Sequence, residues 1–517
     1  MPTPIIIGVG DVKNSSLRVE NAVEPLYLML QACDKSLKDT ELPYDAATKL
    51  RASIDSVSTV KPWTWLYEDL PGLFSTKASI NPPHQFSSGH GGENPARLFD
   101  EAAKRIALGQ SKVAIITGGE ALASLSACAK AGRSPSGWTT LGDGPGSTFA
   151  HAGKSIGEFI KAESRKGAPV HVYPLYENGL RAHRDQSILE NSQESAALYA
   201  EFSRVAERNP LAWSYGTPTR TAEDISTVSN KNRKVTVPYP LLMNPQNNVN
   251  LAAAIILTST EYAEELGVPR EKWIYALGGA GTRDSDLFYE RPNFHSSPAI
   301  SQSLDCGLAA AGLKNDDIDL FDFYSCYPIV PKLAANHLGL PMNGLRKPIT
   351  LLGGLTFFGG AGNNYSMHAI TEMTRQLRQG KGRNGLILAN GGVLTAQYVI
   401  CLSCHPRPEG SLYPCEDPLP KTLTYDDAPV LEKRADGDAI IETYTVEFDR
   451  DGRPSSTLIV GRLKTNGHRF IASHGDDSTL VKLCSQVEEP IGQLGKVRPN
   501  AQEGGCNLFV FTNDSKL

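Results

Sequence analysis

The feature that most constrains this chain is a pattern that occurs twice. In the first half, Glu101 to Leu108 carries apolar residues at helical spacing and stops at Gly109. A buried-strand run, Lys112-Val113-Ala114-Ile115-Ile116-Thr117, then leads into Gly118-Gly119. In the second half, Met367 to Leu377 has the same helical character and Gly382 stops it. Leu386-Ile387-Leu388-Ala389-Asn390 follows and ends at Gly391-Gly392. The interval from Gly109 to Gly118 equals that from Gly382 to Gly391, and a glycine pair, Gly91-Gly92 or Gly359-Gly360, precedes each helix. Helix, glycine stop, apolar strand and glycine turn form one unit of an α/β layer, so their recurrence predicts two similar α/β halves. Further helices are expected over 23–37, 193–207 and 252–266.

A length of 517 residues provides material for roughly three domain-sized units. The first half is expected over 1–130 and the second over 241–415. Between them, 131–240 holds an insertion region together with the end of the first half. That insertion is rich in Gly, Ser, Pro and aromatic residues, as in Val172-Tyr173-Pro174-Leu175-Tyr176. It reads as an irregular loop packed over the core, where substrate contacts often reside. Beyond residue 420 the texture changes to short strands separated by turns. Glu442 to Phe448 alternates, Asp449 to Gly452 turns, Ser456 to Gly461 follows, and 469–472 and 508–512 read the same way. Such spacing predicts a small β-barrel over 420–512, OB-like in type.

Composition excludes several classes. A net charge of −5 without a long basic run argues against a nucleic-acid partner. No window of 18 apolar residues exists, so no membrane span is expected. Ile5-Ile6-Ile7-Gly8-Val9-Gly10 reads as a first buried strand, not a signal peptide. The nine dispersed cysteines suit a reducing compartment. Cys401-Leu402-Ser403-Cys404-His405 fits the haem-attachment pattern but sits on a run that reads as a buried strand, so core cysteines are the expectation. The final Ser515-Lys516-Leu517 matches a receptor-read peroxisomal address, which predicts that compartment and its import receptor as a partner.

Two halves of this kind resemble the thiolase superfamily over about residues 3 to 410. The carrying segments are Gly91 to Gly109 with Ile116-Thr117-Gly118-Gly119-Glu120-Ala121-Leu122, and Leu355-Thr356-Phe357-Phe358-Gly359-Gly360-Ala361-Gly362-Asn363-Asn364-Tyr365-Ser366-Met367-His368. The second is similar to the thiolase-like protein type 1 branch, related to sterol-carrier-protein-type thiolases, which also carries an extra C-terminal domain. The resemblance implies an α-β-α-β-α layered fold and acyltransferase chemistry on acyl-CoA. It further implies no permanently bound cofactor, coenzyme A thioester as substrate or ligand, and a homodimer as the common assembly.

Several residues that a thiolase uses are replaced. Its nucleophilic Cys falls near Gly91 or Gly92, with Ser87 and Ser88 upstream reading as turn serines. Its Asn-Glu-Ala-Phe or His-Asp-Cys-Phe segment becomes Tyr324-Ser325-Cys326-Tyr327. Its Gly-His-Pro falls at Gly359-Gly360-Ala361, and its last Cys-x-Gly near Ala389-Asn390-Gly391. The usual Cys-His-Cys mechanism is therefore not expected. Cys326 is either a small core residue or a nucleophile or proton donor, and His90 and His368 are the candidate bases. Gly91, Gly92, Gly359, Gly360, Gly391 and Gly392 can offer backbone N–H groups to an oxyanion. Asn94 is expected to cap the first helix ahead of Pro95, and Asn363 and Asn364 to cap the second or hold a carbonyl. Two alternatives stand beside acyl transfer: an inactive thiolase-fold protein that binds acyl-CoA or partner proteins, and a barrel that recruits the chain through a lipid, nucleotide or protein.

Overall fold

The computed structural model describes residues 2–140, 167–342, 347–500 and 506–512. Runs with no polar face, such as Ile5-Ile6-Ile7 and Val113 to Ile116, become strands buried on both sides. The strands are β1 (Pro4–Lys13), β2 (Ser56–Val60), β3 (His84–Ser87), β4 (Val113–Ala121), β5 (Asn250–Ser259), β6 (Ile274–Arg283), β7 (Leu320–Phe323), β8 (Asn384–Gly391) and β9 (Ala396–Ser403). They form one continuous order, β3-β2-β4-β5-β1-β6-β9-β8-β7. The halves meet at a short antiparallel seam, where Ile5 faces Tyr275 and Ile6 faces Ile274. Outward from that seam, β1, β5, β4 and β2 are matched by β6, β9, β8 and β7. Each half has its parallel pair, β2 with β4 and β7 with β8.

The two repeat helices, Asn94–Ala107 and Tyr365–Arg378, pack on each other and touch strands of both halves. They are the middle layer of an α-β-α-β-α stack, and this brings the glycine turn of each half to one place.

Two expectations fail. The span 252–266 is helical only over Thr260–Leu266; its earlier part is β5. Its run of alanine and aliphatic residues favours a helix locally, but it lies between β4 and β1 with no exposed face, and ladder pairing on both sides decides. β5 consequently belongs to the first half, and the second begins after it rather than at 241. The insertion is likewise not irregular where described. It contains helices Pro169–His183, Ile188–Arg208 and Ala222–Ser226, the second opened by a Ser187/Glu190 capping box. Val172 to Tyr176 is fully buried within the first of these, so tertiary packing overrides the poor helix propensity of its Pro174 and tyrosines.

The C-terminal strands are β10 (Gly437–Phe448), β11 (Pro454–Leu463), β12 (Arg469–His474), β13 (Leu494–Arg498) and β14 (Asn507–Phe511), with helix Asp477–Leu483 after β12. They close in the order β10-β11-β12-β14-β13, with β12 and β14 parallel and β13 returning to β10. That is the connectivity of a five-stranded OB-type barrel.

The barrel is fastened to the body. Thr443 Oγ1 donates to the Leu175 carbonyl at 2.6 Å, Asn178 Nδ2 donates to that of Tyr444 at 2.9 Å, and Arg181 pairs with Glu489. Fully buried Arg469 donates to the carbonyls of Tyr289 at 2.7 Å and Arg291 at 2.5 Å, and pairs with Glu442. All nine cysteines are free thiols, and Cys401 is buried on β9. Among the described residues no helix is long and apolar enough to cross a membrane. The Ser515-Lys516-Leu517 tail lies outside the described residues.

Candidate functional site

A cavity of about 540 Å³ opens where the two glycine turns meet, a size typical of ligand pockets. β7 ends at Phe323, and the segment after it puts Tyr324, Cys326 and Tyr327 into the wall. β8 ends at Gly391 and contributes Asn390, Gly391 and Gly392, while the approach to the first central helix contributes His90, Gly91 and Gly92. Helix Pro169–His183 closes the opposite side with Tyr173.

The thiol of Cys326 is buried and faces neutral groups. Asn390 Nδ2 points at its sulfur from 3.8 Å and also donates to the Tyr173 hydroxyl at 2.8 Å. Tyr173 in turn donates to the Gly392 carbonyl at 3.0 Å and stacks on Tyr327 at 4.7 Å. Burial pushes the Cys326 thiol up to about 12, with the bond to Tyr173 acting the other way. At neutral pH the group is a thiol, poor as a nucleophile but able to give a proton.

His90 has the opposite bias. His90 keeps an exposed edge, but its partial burial against Trp63, and then the Lys61 cation, shift its imidazole below its ordinary value. Its ring stacks on Trp63 with centroids 4.8 Å apart. Trp63 is itself held from two sides. Its backbone N–H donates to Glu120 at 2.5 Å, and its indole N–H donates to Asn363 Oδ1 at 2.6 Å. Burial raises the Glu120 carboxyl to about 7, opposed by the bonds it accepts from Thr64 and Trp63. The same Asn363 oxygen accepts from Gly91 N–H at 3.0 Å, and its Nδ2 donates to the Lys61 carbonyl at 2.8 Å. One side chain from the second half thus sets the first glycine turn and the aromatic platform under His90.

Gly92 is required by close approach. A Cβ there would lie 2.5 Å from the Asn390 carbonyl oxygen and 2.8 Å from the Tyr324 hydroxyl. Among the described residues nothing accepts the Gly92 N–H, whereas that of Gly91 is taken by Asn363 and is not an oxyanion donor.

The other expected site residues lie elsewhere. His368 is buried one layer away, with Nδ1 2.6 Å from Asp11, and does not line the cavity. Asn94 is not the cap: Glu93 is the capping position, and Asn94 Nδ2 donates back to the Gly91 carbonyl at 2.7 Å. Neither Asn363 nor Asn364 caps through its side chain, since Asn364 Nδ2 donates to the Gly118 carbonyl at 2.9 Å. Gly359 and Gly360 pack near Val249 and Asn247, outside the cavity, as does Asn364. Sequence reasoning missed Trp63 and Gln397, and passed over Tyr173 as part of a loop. No sequence signal marks any of the three: β9, which carries Gln397, is buried along its whole length.

A family model for the thiolase-like protein type 1 additional C-terminal domain matches residues 418–502. The crystal structure of a monomeric SCP2-thiolase-like protein type 1 from Mycobacterium smegmatis is 30% identical, covers 99% of each chain, and superposes with a TM-score of 0.77. The chain belongs to the SCP2-thiolase-like protein type 1 family. Two more distant structures share the fold. One is the Ltp2-ChsH2(DUF35) aldolase, at 17% identity, 79% and 98% coverage and a TM-score of 0.57. The other is human mitochondrial 3-ketoacyl-CoA thiolase in complex with CoA, at 13% identity, 78% and 98% coverage and a TM-score of 0.54. No curated protein matches. As a type 1 thiolase-like protein, the chain lines the meeting of its two glycine turns with Tyr173, Tyr324, Asn390 and a protonated Cys326.

Proposed function

We propose that this protein binds an acyl-CoA thioester in the cavity beside Cys326 and acts on it as an acyltransferase, in the peroxisome, without forming an acyl-enzyme. One observation carries the reading: an imidazole held neutral and a thiol held protonated line the same cavity. Environments that push two titratable groups apart are how a site assigns its base and its acid. His90 takes the proton α to the thioester carbonyl, and the Gly92 N–H faces the enolate oxygen. The enolate carbon attacks the carbonyl of a second thioester, whose C–S bond breaks; the departing CoA thiolate takes the proton of Cys326, and His90 returns to Cys326 the proton it removed. The thiolase fold, which in a human relative holds CoA, supports the substrate class. The Ser515-Lys516-Leu517 tail supports the compartment.

The test is incubation with acetyl-CoA and longer acyl-CoAs, followed by intact mass and assay of released CoA, repeated with His90→Gln and Cys326→Ala. Release without an adduct, lost in both variants, is the expected result. An adduct on Cys326 would overturn the direct mechanism. Binding without release across the acyl panel would replace catalysis by simple thioester binding, a second reading favoured by the absence of a thiolate.

A further inference from the structure

The imidazole of His90 is oriented by its neighbour. Among the described residues it makes no hydrogen bond, and the Trp63 indole, stacked on it at 4.8 Å with 21° between the planes, is what holds it. A histidine that moves protons is ordinarily fixed by a carboxylate or carbonyl at its second nitrogen. Here the indole takes that part, so whatever holds Trp63 also holds His90.

Glu120 holds its backbone. The residue stands near the end of β4 and is only 1% exposed. Its carboxyl accepts from the segment that follows β2: from Trp63 N–H at 2.5 Å, Thr64 N–H at 3.0 Å and Thr64 Oγ1 at 2.5 Å. It also occupies the space that a Cβ at Gly362 would need. The next residue is Asn363, whose Oδ1 accepts from the Trp63 indole at 2.6 Å. Trp63 is therefore held from both halves of the chain, its backbone by Glu120 and its ring by Asn363.

The charge on this carboxyl decides how firm the grip is. A carboxylate accepts from all three donors, and charge strengthens each bond. Protonation turns one oxygen into a hydroxyl, which donates and accepts poorly, so the clamp weakens. Burial lifts the group to about 7, and the Thr64 and Trp63 bonds oppose it; no cation pairs with it among the described residues. The neighbouring elements add no charge that would mask this. β5 sets Leu251 opposite Glu120, and the turn at 361–364 brings Gly362. Tyr67 feels the Glu120 charge, but burial keeps it a phenol that donates to Glu24 at 2.8 Å. Lys61 acts on His90.

We propose that Glu120 is a positioning residue for His90 and the pH gate of the site. Ionised, it clamps the 63–64 segment and keeps the indole under the imidazole. Protonated, it slackens the clamp, and the imidazole loses its orientation. The proposal rests on His90 being the base of the acyl-CoA reaction, and one arm of its test needs no reaction.

In that arm the full chain, labelled at histidine, is titrated by NMR from about pH 5 to 9, with the His90 ring signal identified through His90→Gln. The stacked indole should shift that signal upfield above about pH 7 and release it below, as a step separate from the lower titration of the imidazole itself. Glu120→Gln should abolish the step and leave the signal released throughout. Thr64→Val removes the bond that most lowers the carboxyl, so it should move the step above about pH 7. Being nearly isosteric, it remains informative if Glu120→Gln does not fold. In the second arm, CoA release from acetyl-CoA should show an acid limb near pH 7. Glu120→Gln should lower kcat roughly tenfold with little change in KM, and move that limb to the lower pH set by His90. No step near pH 7, a step unchanged in both variants, or an acid limb unchanged in Glu120→Gln would overturn the proposal. A responsive His90 signal without CoA release in any form would instead overturn the acyl-CoA reading and leave the positioning intact.

Discussion

Replacing Arg469 by Met should loosen the barrel from the cavity it braces. The guanidinium is fully buried, donates to the carbonyls of Tyr289, Arg291 and Pro292, and forms a two-pronged pair with Glu442. Removing one partner of a buried ion pair costs about 3–5 kcal/mol, because the other charge and its acceptors stay buried without compensation. Arg462 still holds Glu442 at 2.8 Å, which places the expected loss at the lower end, about 3 kcal/mol. At 1.4 kcal/mol per factor of ten, that raises the population of the undocked barrel roughly a hundredfold.

Amide hydrogen exchange reads this directly. Protection in β10 and in helix Pro169–His183 should fall together by about that factor, while β4 in the sheet centre stays protected. Coupling to the cavity follows from Arg291, whose backbone Arg469 grips and whose Nη1 donates to the Val393 carbonyl at 2.7 Å beside the second glycine turn. Arg469→Lys should recover only part of the loss, since an ammonium cannot span the same fork of acceptors. A change below about threefold in both segments would refute the reasoning, since a 3 kcal/mol brace could not then exist.

Alkylation of Cys326, followed by peptide mass, should be slow at pH 8 and rise only as pH approaches about 12, the value to which burial lifts the thiol; half-maximal reactivity below pH 9 would contradict this. The linked stability is present below the ordinary thiol range and is lost as pH climbs through the folded value. Tyr173→Phe removes a bond that lowers this thiol and strands the Gly392 carbonyl. It should therefore slow alkylation further and cost roughly 1–3 kcal/mol, read as a lower denaturation midpoint. Asp11 has the opposite sign. Burial would raise its carboxyl, but the Arg375 guanidinium and the His368 bond outweigh that and hold it at about 2. Its contribution is present above the ordinary carboxylate range and is lost as pH falls through about 2, so Asp11→Asn should flatten the acid limb of the stability curve between pH 4 and 2.

Much of the frame was legible in the chain itself, because it is written in local signals. Glycine stops after Leu108 and Lys381, aliphatic runs at β4 and β8, and the alternation of β10 each report on a few neighbouring residues, and those neighbours dictate the outcome. The place of Cys326 after a buried strand could also be read. What stayed hidden depends on residues far apart. β5 is a strand only because β1 and β4 flank it, and Val172 to Tyr176 is helical only because it is packed beneath β10 and against Tyr327. His368 is removed from the site by Asp11, a residue 357 positions away.

The opposed bias of His90 and Cys326 belongs to the same class. Side-chain identity sets an ordinary pKa, whereas burial and the nearest charge set the working one, and both are properties of the assembled halves. The sequence by itself determined two similar α/β halves and an appended barrel. Only the tertiary structure decided which glycine and which histidine line the cavity. Local propensity acts over a turn or a strand, while a site is made where remote segments exclude water together.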